Sequence, residues 1–174
     1  MFLRGDIISR MDATTFGRLI DRYAPALVLY ARQWCSSPED VVQEALLALM
    51  ARACVPDPIA PWLFRVVRNR AISTARSERR RRRREQEVSS RRVTWFRPDP
   101  AGELDVAALH EALALLPAEQ REIIIAHVWG GLTFEQVATL SGCSTSMAYR
   151  RYVAGVEALR ARMGGSVCPE NPTI

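Results

Sequence analysis

The sequence predicts an all-α protein: two small helical domains joined by a linker, the C-terminal one a helix-turn-helix. Three observations carry that prediction. Apolar residues recur three and four positions apart along most of the chain, and no stretch alternates apolar and polar residues long enough to argue a half-buried strand. "SSRRVTWFRPDPAGE" (89–103) breaks every periodicity. Near the end, "TFEQVATLSGCSTSMAYRRYVAGVEALRARM" sets Gly142 ninth, counting from Phe134, between two stretches that both look helical. The 174 residues suffice for one ordinary domain or two small helical ones. The expected division is 12–88 for the first domain, 89–104 for the linker, 105–163 for the second domain and 164–174 for a flexible tail.

Taken in order, "MDATTFGRLIDRYAPALVLYARQW" predicts a helix from about Thr14 to Tyr23. A second helix is expected to begin at Pro25, where a missing N–H costs nothing. In "SSPEDVVQEALLALMARA" Ser37 is a candidate cap, Pro38 fits the first turn, and Asp40 stands where a capping-box acid would. Val42, Ala45, Leu46 and Leu49 share one helix face and are expected in the core. Asp40, Gln43, Glu44 and Leu47 share the opposite face. "VPDPIAP" cannot continue a helix. From Trp62 a long helix follows, with Leu63, Val66, Val67 and Ala71 pointing inward. Arg65, Arg68, Asn69, Ser73, Arg76 and Arg80 form a basic stripe on another face. Past the linker, Leu116-Pro117 and Gly130-Gly131 divide the second domain into four helices. In the last pair Ala138 is small enough for close crossing, and Gly142 suits a left-handed turn. Val137, Cys143 and Ala148 supply apolar contacts, and Ser144 can cap the last helix. Ser141 is polar where a buried residue is more usual.

Net charge is +5, yet residues 65–97 hold thirteen arginines against three glutamates, so the rest of the chain is net acidic. Charge concentrated in this way favours a polyanion partner. Every basic residue is arginine, which GC-rich coding explains as readily as phosphate binding does, so only placement is informative. The four cysteines (Cys35, Cys54, Cys143, Cys168) form no CxxC pair, and with two histidines none has zinc-ligand spacing; no metal and no cofactor are expected. They read as small apolar residues of a reducing compartment. No apolar run approaches the ~20 residues needed to span a bilayer. "MFLRGDIISR" is charged too early for a secretory leader. A cytoplasmic protein without membrane insertion is expected. No paired carboxylates, Ser-His-Asp set or phosphate-cradling loop is present, so no enzyme is expected.

Read alone, the turn around Gly142 fits a helix whose first residues meet base edges in the major groove, and equally an αα-corner with no DNA role. The run Arg79–Arg84 fits a phosphate-tracking groove or a solvated helix end. The Asp40, Gln43, Glu44 and Leu47 face fits a protein interface or plain solvent.

Together these segments resemble the extracytoplasmic-function class of bacterial RNA polymerase sigma factors, within the sigma-70 family. "SPEDVVQEALLAL", "PWLFRVVRNRAI", "LALLPAEQREIIIAHVWGGLTFEQVATLSGCS" and "YRRYVAGVEALR" carry the resemblance in order, over roughly residues 14–163. It implies that the first domain docks on the β′ clamp helices of core polymerase through Asp40, Gln43, Glu44 and Leu47. It implies that Trp62, Arg65, Asn69, Arg76, Arg79 and Arg80 meet the minus-ten promoter element. The second domain, on the β flap, would read the minus-thirty-five element through Ser144, Thr145, Met147, Tyr149 and Arg150, with Arg151 on a phosphate. Core polymerase and promoter DNA are thus the implied partners, with an anti-sigma factor as a further candidate. Ser73 stands where the family often has aspartate, and "STSMAYRRY" departs from the usual recognition pattern, so promoter sequence is not implied. The alternatives are a stand-alone helix-turn-helix regulator, a DNA recombinase or nuclease lacking a visible active site, and a polymerase antagonist.

Overall fold

A computed structural model describes residues 12–85 and 104–163; the expected linker and tail otherwise lie outside the described residues. Among the described residues seven helices follow one another: α1 (Ala13–Ala31), α2 (Pro38–Met50), α3 (Ile59–Glu85), α4 (Leu104–Ala114), α5 (Ala118–Ile124), α6 (Phe134–Ser141) and α7 (Thr145–Arg162). A π-helical turn, Ile125–Trp129, prolongs α5. The described residues contain no strand. Helix α4 opens at Leu104, which the sequence placed last in the linker, a difference within the usual spread of helix ends.

Helix α1 corrects the sequence reading. Instead of two helices meeting at Pro25, one continuous helix runs through it. An interior proline costs about 3 kcal/mol. Here Leu19 before it and Ala26, Leu27, Tyr30 and Ala31 after it are all buried, so apolar contacts on both sides outweigh the lost hydrogen bond. Asp12 caps this helix, its carboxylate accepting from the Thr15 amide at 2.7 Å and from the Thr15 hydroxyl at 2.9 Å. The Ser37 cap is a second correction. Its ψ of 64° departs from the extended value near 160° at the capping residues Asp12, Thr133 and Ser144, and its side chain makes no cap bond. Helix α3 begins at Ile59, three residues before the expected Trp62.

The first three helices pack on one another, burying Leu27, Tyr30, Val42, Ala45, Leu49, Leu63, Val67 and Ala71. Leu46 and Val66, also expected inside, are only partly buried. In the second half α5 packs on α7 and α6 on α7. Ile123, Ile124, Ile125 and Ala126 are buried in succession. A helix buried all round needs neighbours on both sides. Ile124 faces Leu113 and Leu116 in one apolar cluster, while Ile123, Ile125 and Ala126 join the cluster that contains Leu27, Tyr30 and Phe64. The two halves therefore share one continuous core.

Candidate nucleic-acid interface

Helix α3 sorts its residues by face. Leu63, Phe64, Val67 and Ala71 are buried, whereas Arg65, Asn69, Ser73, Arg76, Arg79 and Arg80 are exposed. Trp62 at its start is half-buried, and the Arg52 guanidinium lies 5.3 Å from its ring centroid. Anchored on one side and charged on the other, the helix presents a row of exposed cations, of which Arg80 also donates to Ser77 Oγ at 3.1 Å. Neighbouring arginines reach acidic partners. Arg70 pairs with Glu44 of α2, Arg82 approaches Glu78 at 3.8 Å, and Arg68 Nε donates to Glu122 Oε1 at 2.7 Å. Arg68 was expected in the basic stripe. Burial opposes its charge, but the hydrogen bond and attraction from Glu122 outweigh that and raise its pKa.

On α2, Asp40, Gln43, Glu44 and Leu47 are all exposed. Leu47 is 56% exposed and Met50, one turn further along the same face, 61%. Apolar side chains left open beside polar ones fit a protein interface better than solvent. Met50 was missed by the sequence reading, although its spacing of three from Leu47 signals it.

The second candidate surface lies on α6 and α7. Gly142 adopts φ 69° and ψ 36°, the left-handed turn expected of it, and its amide donates to Ala138 O. Ser144 Oγ accepts from the Met147 amide at 3.2 Å. Thr133 and Gln136 form a reciprocal capping box at the start of α6. Both helices are thus fixed at the ends that meet. Thr145, Met147, Tyr149 and Arg150 are exposed while Ala148 is buried, so the N-terminal half of α7 offers one open face. Tyr149 rests edge-on against Phe134 at 5.4 Å between centroids; Phe134 stacks on His127 at 4.3 Å and meets Tyr152. His127 Nδ1 lies 2.7 Å from Leu132 O. This aromatic cluster, invisible as a spacing, braces the exposed tyrosine. Arg151 differs from Arg150: it is half-buried and ion-paired with Glu119 of α5 at 2.5 Å. Ser141 Oγ is buried with no hydrogen-bond partner, for which nothing nearby gives a physical account.

Among the described residues no group of His, Cys, Asp or Glu is arranged to hold a metal, and no helix is long and apolar enough to cross a membrane. A narrow groove separates α1 from α4 and α5, lined by Leu29, Arg32, His110, Leu113 and Arg121. Burial and the Arg32 charge lower the His110 pKa.

Residues 19–81 match sigma-70 region 2, and residues 107–159 match sigma-70 region 4. The chain is 33% identical over 157 residues to the ECF RNA polymerase sigma factor SigL of Mycobacterium tuberculosis, covering 86% of this chain and 89% of that protein. It is 25% identical over 166 residues to the ECF RNA polymerase sigma factor RpoE of Cereibacter sphaeroides, covering 87% and 88%. Among solved structures, the sigma factor RpoE from Bartonella quintana, crystallised with the anti-sigma factor NepR, superposes with a TM-score of 0.67 at 26% identity, over 89% of this chain and all of that one. CnrH, solved with the cytosolic domain of CnrY, gives a TM-score of 0.60 at 23% identity over 92% and 94%, a likeness of fold alone.

Proposed function

Because the chain belongs to the extracytoplasmic-function class of the sigma-70 family, and so is a sigma factor that binds RNA polymerase core and directs promoter-specific initiation, we propose which of its residues make each contact. Asp40, Gln43, Glu44 and Leu47, extended by Met50, dock on the β′ clamp helices. Trp62, Arg65, Asn69, Arg76, Arg79 and Arg80 engage the minus-ten element. Ser144, Thr145, Met147, Tyr149 and Arg150 read the minus-thirty-five element. Arg151 is reassigned from phosphate contact to bracing α7 against α5, because Glu119 already holds it. The stand-alone regulator is not favoured, since the match to sigma-70 region 2 gives the first half a role in the polymerase.

One observation carries the minus-ten assignment: α3 keeps a row of unburied cations while its opposite face is locked in the core. Such a row attracts phosphates, and the half-buried Trp62 offers a π-face for an unpaired base. The protein supplies binding energy that favours the melted promoter, and the polymerase does the chemistry. An anti-sigma factor completes the partner set in this reading, because the Bartonella relative was crystallised with one.

Run-off transcription with sigma-free core polymerase, on promoter fragments from the source genome, tests the assignment. Discrete transcripts should need both components. The double substitution Gln43→Ala and Glu44→Arg should weaken core binding at unchanged helicity. Unchanged core affinity would remove α2 from the interface.

A further inference from the structure

We propose that His127, outside every contact set assigned above, is a positioning residue for readout of the minus-thirty-five element: through Phe134 it sets the direction in which Tyr149 leaves α7. The inference rests on the assignment of Tyr149 to that element and deepens it. Four aromatic rings from three elements meet here. His127 stands in the π-helical turn, Phe134 opens α6, and Tyr149 and Tyr152, about one helical turn apart, share a face of α7. The His127 ring stacks on Phe134 at 4.3 Å between centroids and 22° between planes. Tyr152 meets both rings edge-on, at 5.1 Å from His127 and 5.4 Å from Phe134. Phe134 in turn meets Tyr149 edge-on, at 5.4 Å and 84°.

Burial gives this chain of contacts a direction. Phe134 and Tyr152 pack against the main apolar core, and His127 is half-buried. Tyr149 is 54% exposed, at the open face of α7. An exposed tyrosine with no lateral contact is free to occupy several staggered rotamers. An edge-on aromatic neighbour favours one of them when the neighbour's own ring is fixed. His127 fixes it. Its Nδ1 lies 2.7 Å from Leu132 O, which only accepts, so Nδ1 carries the proton and donates. That bond closes a return of the chain in which Gly131 takes φ 66°, a conformation suited to glycine. The backbone thereby sets the imidazole plane, the Phe134 ring lies against that plane, and Tyr149 abuts Phe134. A side chain that reads a base edge must arrive in one geometry, and ordering it beforehand removes a cost that binding would otherwise carry.

The test is run-off transcription by the full chain with core polymerase, on its promoter and on variants with each upstream base pair changed in turn. Discrimination is the ratio of transcript from the promoter to transcript from a variant. Tyr149→Ala should lower discrimination at the base pairs that Tyr149 reads. His127→Ala should lower it at the same base pairs by about 2–10-fold, the equivalent of one aromatic pair, and leave the other positions unchanged. His127→Phe keeps a stacking ring and should recover it to within about 2-fold. Phe134→Leu keeps apolar volume without a ring and, as an independent reading, should lower it at the same base pairs. In the Tyr149→Ala background His127→Ala should have no further effect, because it acts only through that tyrosine. A merely structural role would lower transcription from every promoter alike and add to the Tyr149→Ala loss. Such a uniform, additive loss overturns the positioning role while leaving Tyr149 at the DNA, and so does full discrimination by both His127→Ala and Phe134→Leu. No effect of Tyr149→Ala at any upstream base pair overturns the assignment of Tyr149 itself, and the role of His127 with it.

Discussion

Replacing Gly142 by alanine isolates the cost of one backbone conformation. A Cβ at this position meets nothing within 4 Å, so no steric clash contributes. What remains is φ 69°, a conformation that costs an L-residue about 1–2 kcal/mol. Alanine also narrows the unfolded ensemble, which returns about 0.4–1 kcal/mol. The expected net loss is therefore about 1 kcal/mol. Gly142→Asn should lose less, since asparagine visits this region more readily. Urea unfolding followed by far-ultraviolet circular dichroism measures both, as a midpoint shift at constant m-value. If the shared core makes the halves melt as one, Tm should fall by about 2–4 °C; a second half that melts alone would fall by about 4–8 °C. A loss above about 3 kcal/mol, or a larger loss for asparagine than for alanine, would refute the claim that only backbone strain is at stake.

Three further outcomes are expected. Arg150→Ala should weaken recognition of the upstream element by about 1–3 kcal/mol if it reads a base, seen as transcript loss on the cognate promoter but not on one already altered there; equal loss on every sequence would make it a phosphate contact. Replacing Arg79 and Arg80 together by alanine should flatten the salt dependence of DNA binding by about 1.5 in log–log slope, at ~0.7–0.9 per phosphate contact, without changing base preference. The third concerns pH. Because His110 in the folded protein titrates below the ordinary value of 6.5, the unfolded chain binds more protons just under that value, so stability should decline as pH falls through 6.5 and level off below the folded pKa. His110→Gln should flatten that decline in urea titrations repeated across the window.

The helix-turn-helix was legible because its signals are local. Gly142, Ser144 and the small Ala138 act within a few residues of where they stand, and each sits as the spacing requires. The exposed faces of α2 and α3 were legible for the same reason: helical periodicity fixes which residues point away from a core. Pro25 misled because its penalty is local while its compensation is tertiary, supplied by Leu27, Tyr30 and Ala31 packing beyond it. Ser37 has the right residue type but the wrong ψ, which composition does not encode. Glu122 gave no sign at all. In "AEQREIIIAHV" it looks like one more solvated acid, and its burial depends on Tyr30 and Arg68, 92 and 54 positions away. One hint was available in "EIIIA": four apolar residues in a row on a helix demand cover on every side. Leu27, Tyr30 and Phe64 of the first half join Val137 and Leu140 of the second in the cluster that covers it.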